Sequence, residues 1–393
     1  MFLLSLFARF IRAIKLFRTA LADTNYAFMV ADEQVIEEDL KLTASGSNKF
    51  EEEKDEELSL TCQWQSRRYL ANGQLLNDKS IREWRSLKDT EKSQRNLEHL
   101  RKNILSWDTL VDQKVQLGVN GYYYVFLHVP KAGGTTLKDI IAKNYPPQHC
   151  IHSHAPETIK NAAMLFRWGK SIPLNVIMGH QHLSSLLYQL LVERPIIHFT
   201  MLREPAKRII SHYNFIKRGS SPSREKIRDL AFEDYIQLDI AEVNNGQAMR
   251  LLGLRGKSGV EYLNTRDRAE VIADLHEVLE QSFTFFGLLE KFDEFIIMAS
   301  KLLGWSEIFY TRRNVSDSSQ RVSFNNLSKE TISLIYEKNW LDIELYRFAQ
   351  ELFQQRCEAM GITDQVLGTY RQLTQDYRHL MAASVFEEFE ENL

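Results

Sequence analysis

Between Tyr122 and Leu137 the chain reads YYYVFLHVPKAGGTTL. An apolar, aromatic run, Tyr122 to Val129, passes into Pro130, Lys131, Ala132, Gly133, Gly134, Thr135 and Thr136, and a helix-like stretch, LKDIIAK, follows. This is the pattern of a buried strand, a glycine turn and a helix start. Such a turn aims free backbone N–H groups and the positive end of a helix dipole at one spot, which suits a phosphate or a sulfate. Lys131 precedes the glycines, whereas a Walker A loop places its lysine after them; neither a Walker A string nor a GxGxxG fingerprint occurs in the chain. The loop is therefore anion-binding in form without being that of an ATPase or a dehydrogenase. The plainer alternative is a turn whose glycines serve packing only.

A second segment has the same grammar. Residues Ile196 to Ser211 read IIHFTMLREPAKRIIS, an apolar run that ends in a polar turn and opens a helix. Pro205 suits the first turn of that helix, where its missing N–H costs nothing. Arg203 then stands at the strand's end and Ser211 about two turns into the helix. A guanidinium fork and a hydroxyl so placed suit a second phosphate. The alternative is a surface arginine paired with Glu204 or another acid.

Strands at 122–129, 174–178 and 196–202 alternate with helices at 135–143 and 206–217. The alternation predicts an α/β fold, a P-loop-like parallel β-sheet flanked by helices. A mostly helical C-terminal part follows, with a helix from Asp267 to Gln281, a short strand from Phe283 to Leu288 and a closing helix from Thr331 to Cys357. Lys79 to Trp107 has helical periodicity and many charges, which predicts a helical N-terminal extension packed beside the sheet domain.

PKAGGTT resembles the 5′-phosphosulfate loop of sulfotransferases that use 3′-phosphoadenosine 5′-phosphosulfate (PAPS), and TMLREPAKRIISHY resembles their 3′-phosphate motif. In form both are most similar to the carbohydrate O-sulfotransferases, especially the heparan sulfate 2-O and 6-O type. Softer similarity appears at NNGQAMRLLG (Asn244 to Gly253) and NWLDIELYRFAQELF (Asn339 to Phe353), so the resemblance spans residues 120 to 357.

The resemblance implies in-line sulfuryl transfer from PAPS to a hydroxyl of a carbohydrate acceptor, with adenosine 3′,5′-bisphosphate (PAP) as product and no metal required. Lys131 is then the partner of the leaving 5′-phosphate oxygen, and Ala132, Gly133, Gly134, Thr135 and Thr136 complete the loop around the 5′ group. Arg203 and Ser211 hold the 3′-phosphate. A base should take the acceptor's proton, and histidine is the usual choice. VIMGHQHLSSL offers His180 and His182, which point to one side if the segment is extended, so spacing alone does not separate them. His180 aligns better with the family's base. The alternatives on other grounds are a small-molecule kinase on a related fold and a non-catalytic nucleotide-binding protein.

Other constellations are weaker. His149, Cys150, His152 and His154 fall within six residues, in an expected loop after Pro146 and Pro147, and lack the separated spacing of a metal site. Arg312, Arg313, Asn314 and Arg321 flank a Ser/Asn-rich loop that either closes over the 3′-phosphate or grips an anionic glycan, Arg321 being placed with the cofactor set; a merely solvated loop is the alternative. Arg250, near Asn245 and Gln247, either lines the acceptor cleft or sits on a helix surface.

A formal charge of −3 over 393 residues provides no global field for nucleic acid, although a local basic cleft is compatible with it. Three cysteines, Cys62, Cys150 and Cys357, fit a reducing compartment better than a disulfide framework. Phe2 to Leu21 is apolar but interrupted by Arg9, Arg12, Lys15 and Arg18, which makes spanning a bilayer costly and suits a basic helix resting on an anionic surface. The expected location is cytoplasmic, with peripheral membrane contact through that helix. The expected divisions are 1–22 for the basic helix, 23–120 for the charged extension, 121–358 for the sulfotransferase domain and 359–393 for a helical, acidic tail.

Overall fold

The computed structural model describes residues 70–112, 121–153, 175–218, 225–311 and 322–391. Phe2–Leu21, the NKFEEEKDEELSL stretch, Cys62, His154 and the loop carrying Arg312, Arg313, Asn314 and Arg321 lie outside the described residues. The extension begins with α1 (Asp78–Ser86), α2 (Asp89–Asn103) and α3 (Trp107–Asp112). The expected helix from Lys79 to Trp107 is thus divided. Leu87 and Lys88 adopt extended backbone, and the Glu91 side chain accepts from Lys88 N to start α2. Asn96 on α2 donates to the carbonyls of Leu183 (2.6 Å) and Ser185 (2.8 Å), which fixes the extension to the segment that follows β3.

Five strands make one parallel sheet: β1 (Tyr123–Leu127), β2 (Cys150–Ser153), β3 (Val176–Gly179), β4 (Ile196–Leu202) and β5 (Phe285–Leu288), in the order β2-β3-β1-β4-β5. Every residue of β1, β3, β4 and β5 is buried, the signature of strands covered on both faces. β2 corrects the expected loop at His149–His154: Cys150 pairs with Val176 and Ser153 with Gly179. Four residues, CIHS, are too few and too mixed to show a strand pattern in sequence.

α4 (Gly134–Asn144) follows β1 and α5 (Pro205–Arg218) follows β4. The remaining helices are α6 (Glu225–Arg228), α7 (Phe232–Tyr235), α8 (Gly246–Leu251), α9 (Gly256–Thr265), α10 (Arg268–Gln281), α11 (Phe292–Leu303), α12 (Lys329–Lys338), α13 (Trp340–Ala359) and α14 (Asp364–Glu391). The expected single helix from Thr331 to Cys357 is two, because Asn339 leaves helical geometry (φ −117°, ψ 31°) and uses its side chain elsewhere. One buried apolar cluster runs from Leu70 to Leu380, so the extension and the start of α14 share the core of the sheet. Among the described residues, no helix is long and apolar enough to cross a membrane.

β1 and β4 are neighbours, yet their connections leave in opposite directions, β1 toward β2 and β4 toward β5. Parallel sheets place ligands at such a switch point, beyond the strands' C-terminal ends. The loops at that point are the two segments predicted to bind anions, 128–133 after β1 and 203–204 after β4.

The core also holds a histidine. His198 on β4 is fully buried, donates from Nδ1 to the Ser282 carbonyl (2.5 Å) and lies 3.1 Å from the Tyr188 hydroxyl. Burial pushes its pKa from 6.5 down to about 4. The unfolded chain therefore binds this proton more readily, so the contribution of neutral His198 to stability is present above pH 6.5 and is lost as pH falls toward 4. Urea unfolding should show stability dropping from about pH 6.5 to about pH 4 by up to ~1.4 kcal/mol per pH unit from this residue, and His198→Gln should flatten the slope.

Candidate functional site

The loop after β1 is built by packing as much as by turn geometry. Lys131 and Gly133 both take positive φ, 67° and 81°, which lets the chain reverse tightly into α4. The two glycines serve different purposes. Gly133 occupies the left-handed region, and a Cβ there would lie 2.5 Å from Leu289 Cδ1. A Cβ on Gly134 would lie 1.8 Å from the ring of His128, so the first residue of α4 is glycine because a histidine presses on it. Thr135 is exposed and Thr136 half-buried on the first turn of α4. Lys131 places its ammonium 4.2 Å from the centroid of the Phe215 ring on α5.

Arg203 joins the two motifs. Its Nη1 donates to the Lys131 carbonyl (3.0 Å), and its Nε is buried with no partner. The alternative pairing with Glu204 is not how this arginine is held: Glu204 turns back to accept from Ala206 N (3.1 Å) and Lys207 N (2.7 Å), capping α5. Ser211 is half-buried in the second turn of α5, on the helix that Arg203 and Glu204 introduce.

The backbone of Arg203 is itself held. The Gln247 side chain on α8 accepts from Arg203 N (2.9 Å) and donates to Arg203 O (2.8 Å). Gln247 N and Ala248 N donate to Asp342 Oδ1 at 3.1 and 2.8 Å, so a carboxylate from α13 caps the N-terminus of α8. Asp342 is fully buried and lies 3.5 Å from Arg208 Nη2, and that nitrogen also donates to the Glu242 carbonyl (2.8 Å). Asn339 accepts from Asn245 N (3.0 Å), and Asn245 accepts from Leu341 N (2.8 Å). The two softer sequence motifs, Asn244–Gly253 and Asn339–Phe353, are thus the two halves of one buried polar network.

The segment after β3 is tied on several sides. Arg250 donates from Nη1 to the His180 and Gln181 carbonyls, and Gln181 donates to the Phe126 carbonyl (3.0 Å). Arg250 is 8% exposed, so it does not lie on a helix surface, and it clamps the histidine loop. Burial pushes its pKa down to about 10.

The two histidines part company. The His180 ring is half-buried, and its Nδ1 lies 3.2 Å from the His128 carbonyl. A carbonyl only accepts, so Nδ1 carries the hydrogen and Nε2 is left as an acceptor. His182 Nδ1 lies 3.2 Å from the Leu254 carbonyl, and burial, with Arg250 and Arg255 adding to it, holds its pKa well below the usual value. Their partners lie on different elements, which the simple alternation of an extended segment does not anticipate.

His128 has no counterpart in the sequence expectations, which read it only as part of an apolar run. It stacks on His180, with ring centroids 4.3 Å apart and planes at 27°. Below it a column of rings crosses the sheet: Phe126 on β1, Phe199 on β4 and Phe285 on β5 are stacked at 5.4 Å, 5.4 Å and 5.0 Å in turn. The register explains the column, since Phe126 faces Phe199 and Phe199 faces Phe285 across the ladder. The signal available in sequence was an i, i+2 pair of aromatic rings leading straight into a glycine turn.

Among the described residues, no group of three or more His, Cys, Asp or Glu is arranged to hold a metal. The fit to an anionic donor is better: an arginine Nε without a partner, a lysine and a helix N-terminus lie along one switch point. The strength of the supporting network can be measured. Asp342→Ala leaves the buried Arg208 guanidinium without its carboxylate and should cost about 3–5 kcal/mol in urea unfolding, whereas the double change Arg208→Met with Asp342→Leu should recover most of that loss.

Comparison with known proteins agrees with this geometry. Mouse heparan-sulfate 6-O-sulfotransferase 3 is 24% identical over 276 residues, covering 59% of this chain and 57% of its own. Bovine galactose-3-O-sulfotransferase 3 is 22% identical over 251 residues, covering 60% and 58%. Zebrafish heparan-sulfate 6-O-sulfotransferase 1-B is 21% identical over 295 residues, covering 65% and 72%. The chain thus spans less than two thirds of the length of the first two. Residues 120–349, from just before β1 into α13, match the sulfotransferase family as a whole, and the chain belongs to that family.

Proposed function

We propose that this protein transfers a sulfuryl group from PAPS to a hydroxyl of a carbohydrate acceptor, with His180 as base. The observation that carries this reading is the direct bond from Arg203 Nη1 to the Lys131 carbonyl, which brings the two anion-binding segments together at the sheet's switch point. A kinase of small molecules would instead need its lysine after the glycines.

PAPS supplies an activated sulfuryl group on its 5′-phosphate. In this reading the N–H groups at the start of α4 and the hydroxyls of Thr135 and Thr136 surround that end. Lys131 holds the phosphate oxygen from which sulfur departs. Arg203, with its free Nε, and Ser211 take the 3′-phosphate. His180 Nε2 accepts the acceptor's hydroxyl proton as the new O–S bond forms and the old S–O bond breaks, and it later returns the proton to water. The relatives' names point to two acceptor classes, heparan sulfate and galactose, and we take an anionic or neutral glycan as the acceptor class. The residues contribute by positioning and by electrostatics, as in other transfers of this kind.

Calorimetry tests the donor site. The protein should bind PAP more tightly than AMP, and Arg203→Ala should weaken PAP by about 1.5–3 kcal/mol while narrowing the difference between the two ligands. Equal affinity of the parent protein for PAP and AMP would remove the 3′-phosphate assignment.

Radiolabelled PAPS offered with a panel of heparan-type and galactose-terminated glycans tests the reaction and identifies the acceptor. On that acceptor, His180→Ala should lower turnover by roughly 10²–10⁴-fold with PAP affinity nearly unchanged. Full turnover in His180→Ala, with loss in His182→Ala, would move the base to the second histidine.

A further inference from the structure

Resting on the reading of His180 as base, we propose that His128 is a positioning residue for it: the His128 carbonyl fixes which nitrogen of His180 accepts, and the His128 ring supplies a neutral face against which His180 alone takes up the proton.

Four observations carry this. The same residue touches His180 twice, through the carbonyl at 3.2 Å from Nδ1 and through the ring at 4.3 Å between centroids. The His128 ring has no freedom to turn away, because Phe126 stacks beneath it at 5.4 Å and Gly134 presses on its edge. It is 6% exposed, and its Nδ1 is buried with no partner. Finally, the charges that act on this pair and its neighbour come from several elements and are alike: Lys131 in the loop, Lys138 on α4 and Arg250 on α8 act on His128, and Arg250 and Arg255 act with His180 on His182.

These facts decide where a proton goes. Two imidazolium rings in face-to-face contact repel each other, so the stacked pair accepts one proton and not two. His128 is the poor candidate, since burial first, and then His180, Lys138, Arg250 and Lys131, push its pKa down to about 2. His180 is the good one, because its Nδ1–H already donates to a carbonyl, a bond that an imidazolium strengthens. The neutral ring below then meets a cation on its π face, which is favourable. The second glycine of the loop acquires a purpose here: it leaves room for the ring that supports the base.

The test uses the full chain with selectively ¹³C-labelled histidine. In the parent protein the His128 resonance should stay in the neutral form from about pH 8 to about pH 5; a His128 that titrates there overturns the proposal. His128→Phe, which keeps a ring and the carbonyl, should retain turnover within about threefold. His128→Leu should lower kcat about tenfold and move the His180 titration downward, with PAP affinity unchanged. Parent-like kcat and titration in His128→Leu overturn the proposal, as does an equal loss in the Phe and Leu variants. If His128→Leu does not fold, His128→Gln carries the same expectation and the same overturning result. The base assignment fails separately, by full turnover in His180→Ala whatever the His128 variants do.

Discussion

A buried carboxylate is the constraint on which the arrangement depends. Asp342 has no access to water, and a charge in that position is tolerated only if it is paired and fully hydrogen-bonded. It meets both conditions by drawing three elements together: Arg208 from α5, the N-terminal N–H groups of α8, and its own helix α13. Once α8 is placed, Gln247 reaches the backbone of Arg203 from both sides of the peptide, and Arg203 in turn reaches the loop of Lys131. The order of dependence runs from the interior outward. The groups facing the site are fixed by groups that never touch it.

The histidine side of the site obeys a different rule. Directional hydrogen bonds hold the loop backbone, through Arg250 and Gln181, and the ring of His180 is held both by its bond to the His128 carbonyl and by stacking. Ion pairing is thus concentrated beneath Arg203, and ring stacking beside His180. Lys131, Lys138 and Arg250 all act on His128, while Glu290 and Glu204 offset the charge of Arg203.

Much of this was legible in the sequence, and the reasons are physical. Long apolar runs that end in glycine or proline specify buried strands followed by helices, so β1, β4, α4 and α5 were readable to within a residue or two. The parts that were not readable depend on partners far away in the chain. β2 exists because Cys150–Ser153 can pair with β3, not because CIHS is a strong strand former. Asn339 interrupts a helical pattern because its amide is needed by Asn245, and no local signal announces that. Arg250 reads as a surface residue until the carbonyls of His180 and Gln181 are seen beside it. Of the candidate site residues, Lys131 and Arg203 lie where the run of strand, turn and helix predicts, after β1 and β4, and Ser211 lies in the second turn of α5. His128 was hidden because an aromatic-looking position at the end of a strand is ordinarily read as core.

The ring column from Phe285 to His180 has one more implication. It is assembled from three strands, so it comes into being when the sheet does, and no later adjustment is required to aim the histidine. A substitution within the column therefore acts on the sheet as well as on the ring of His180, whereas one at the exposed Thr135 at the start of α4 leaves the stack untouched. An engineer altering this chain would leave the column alone.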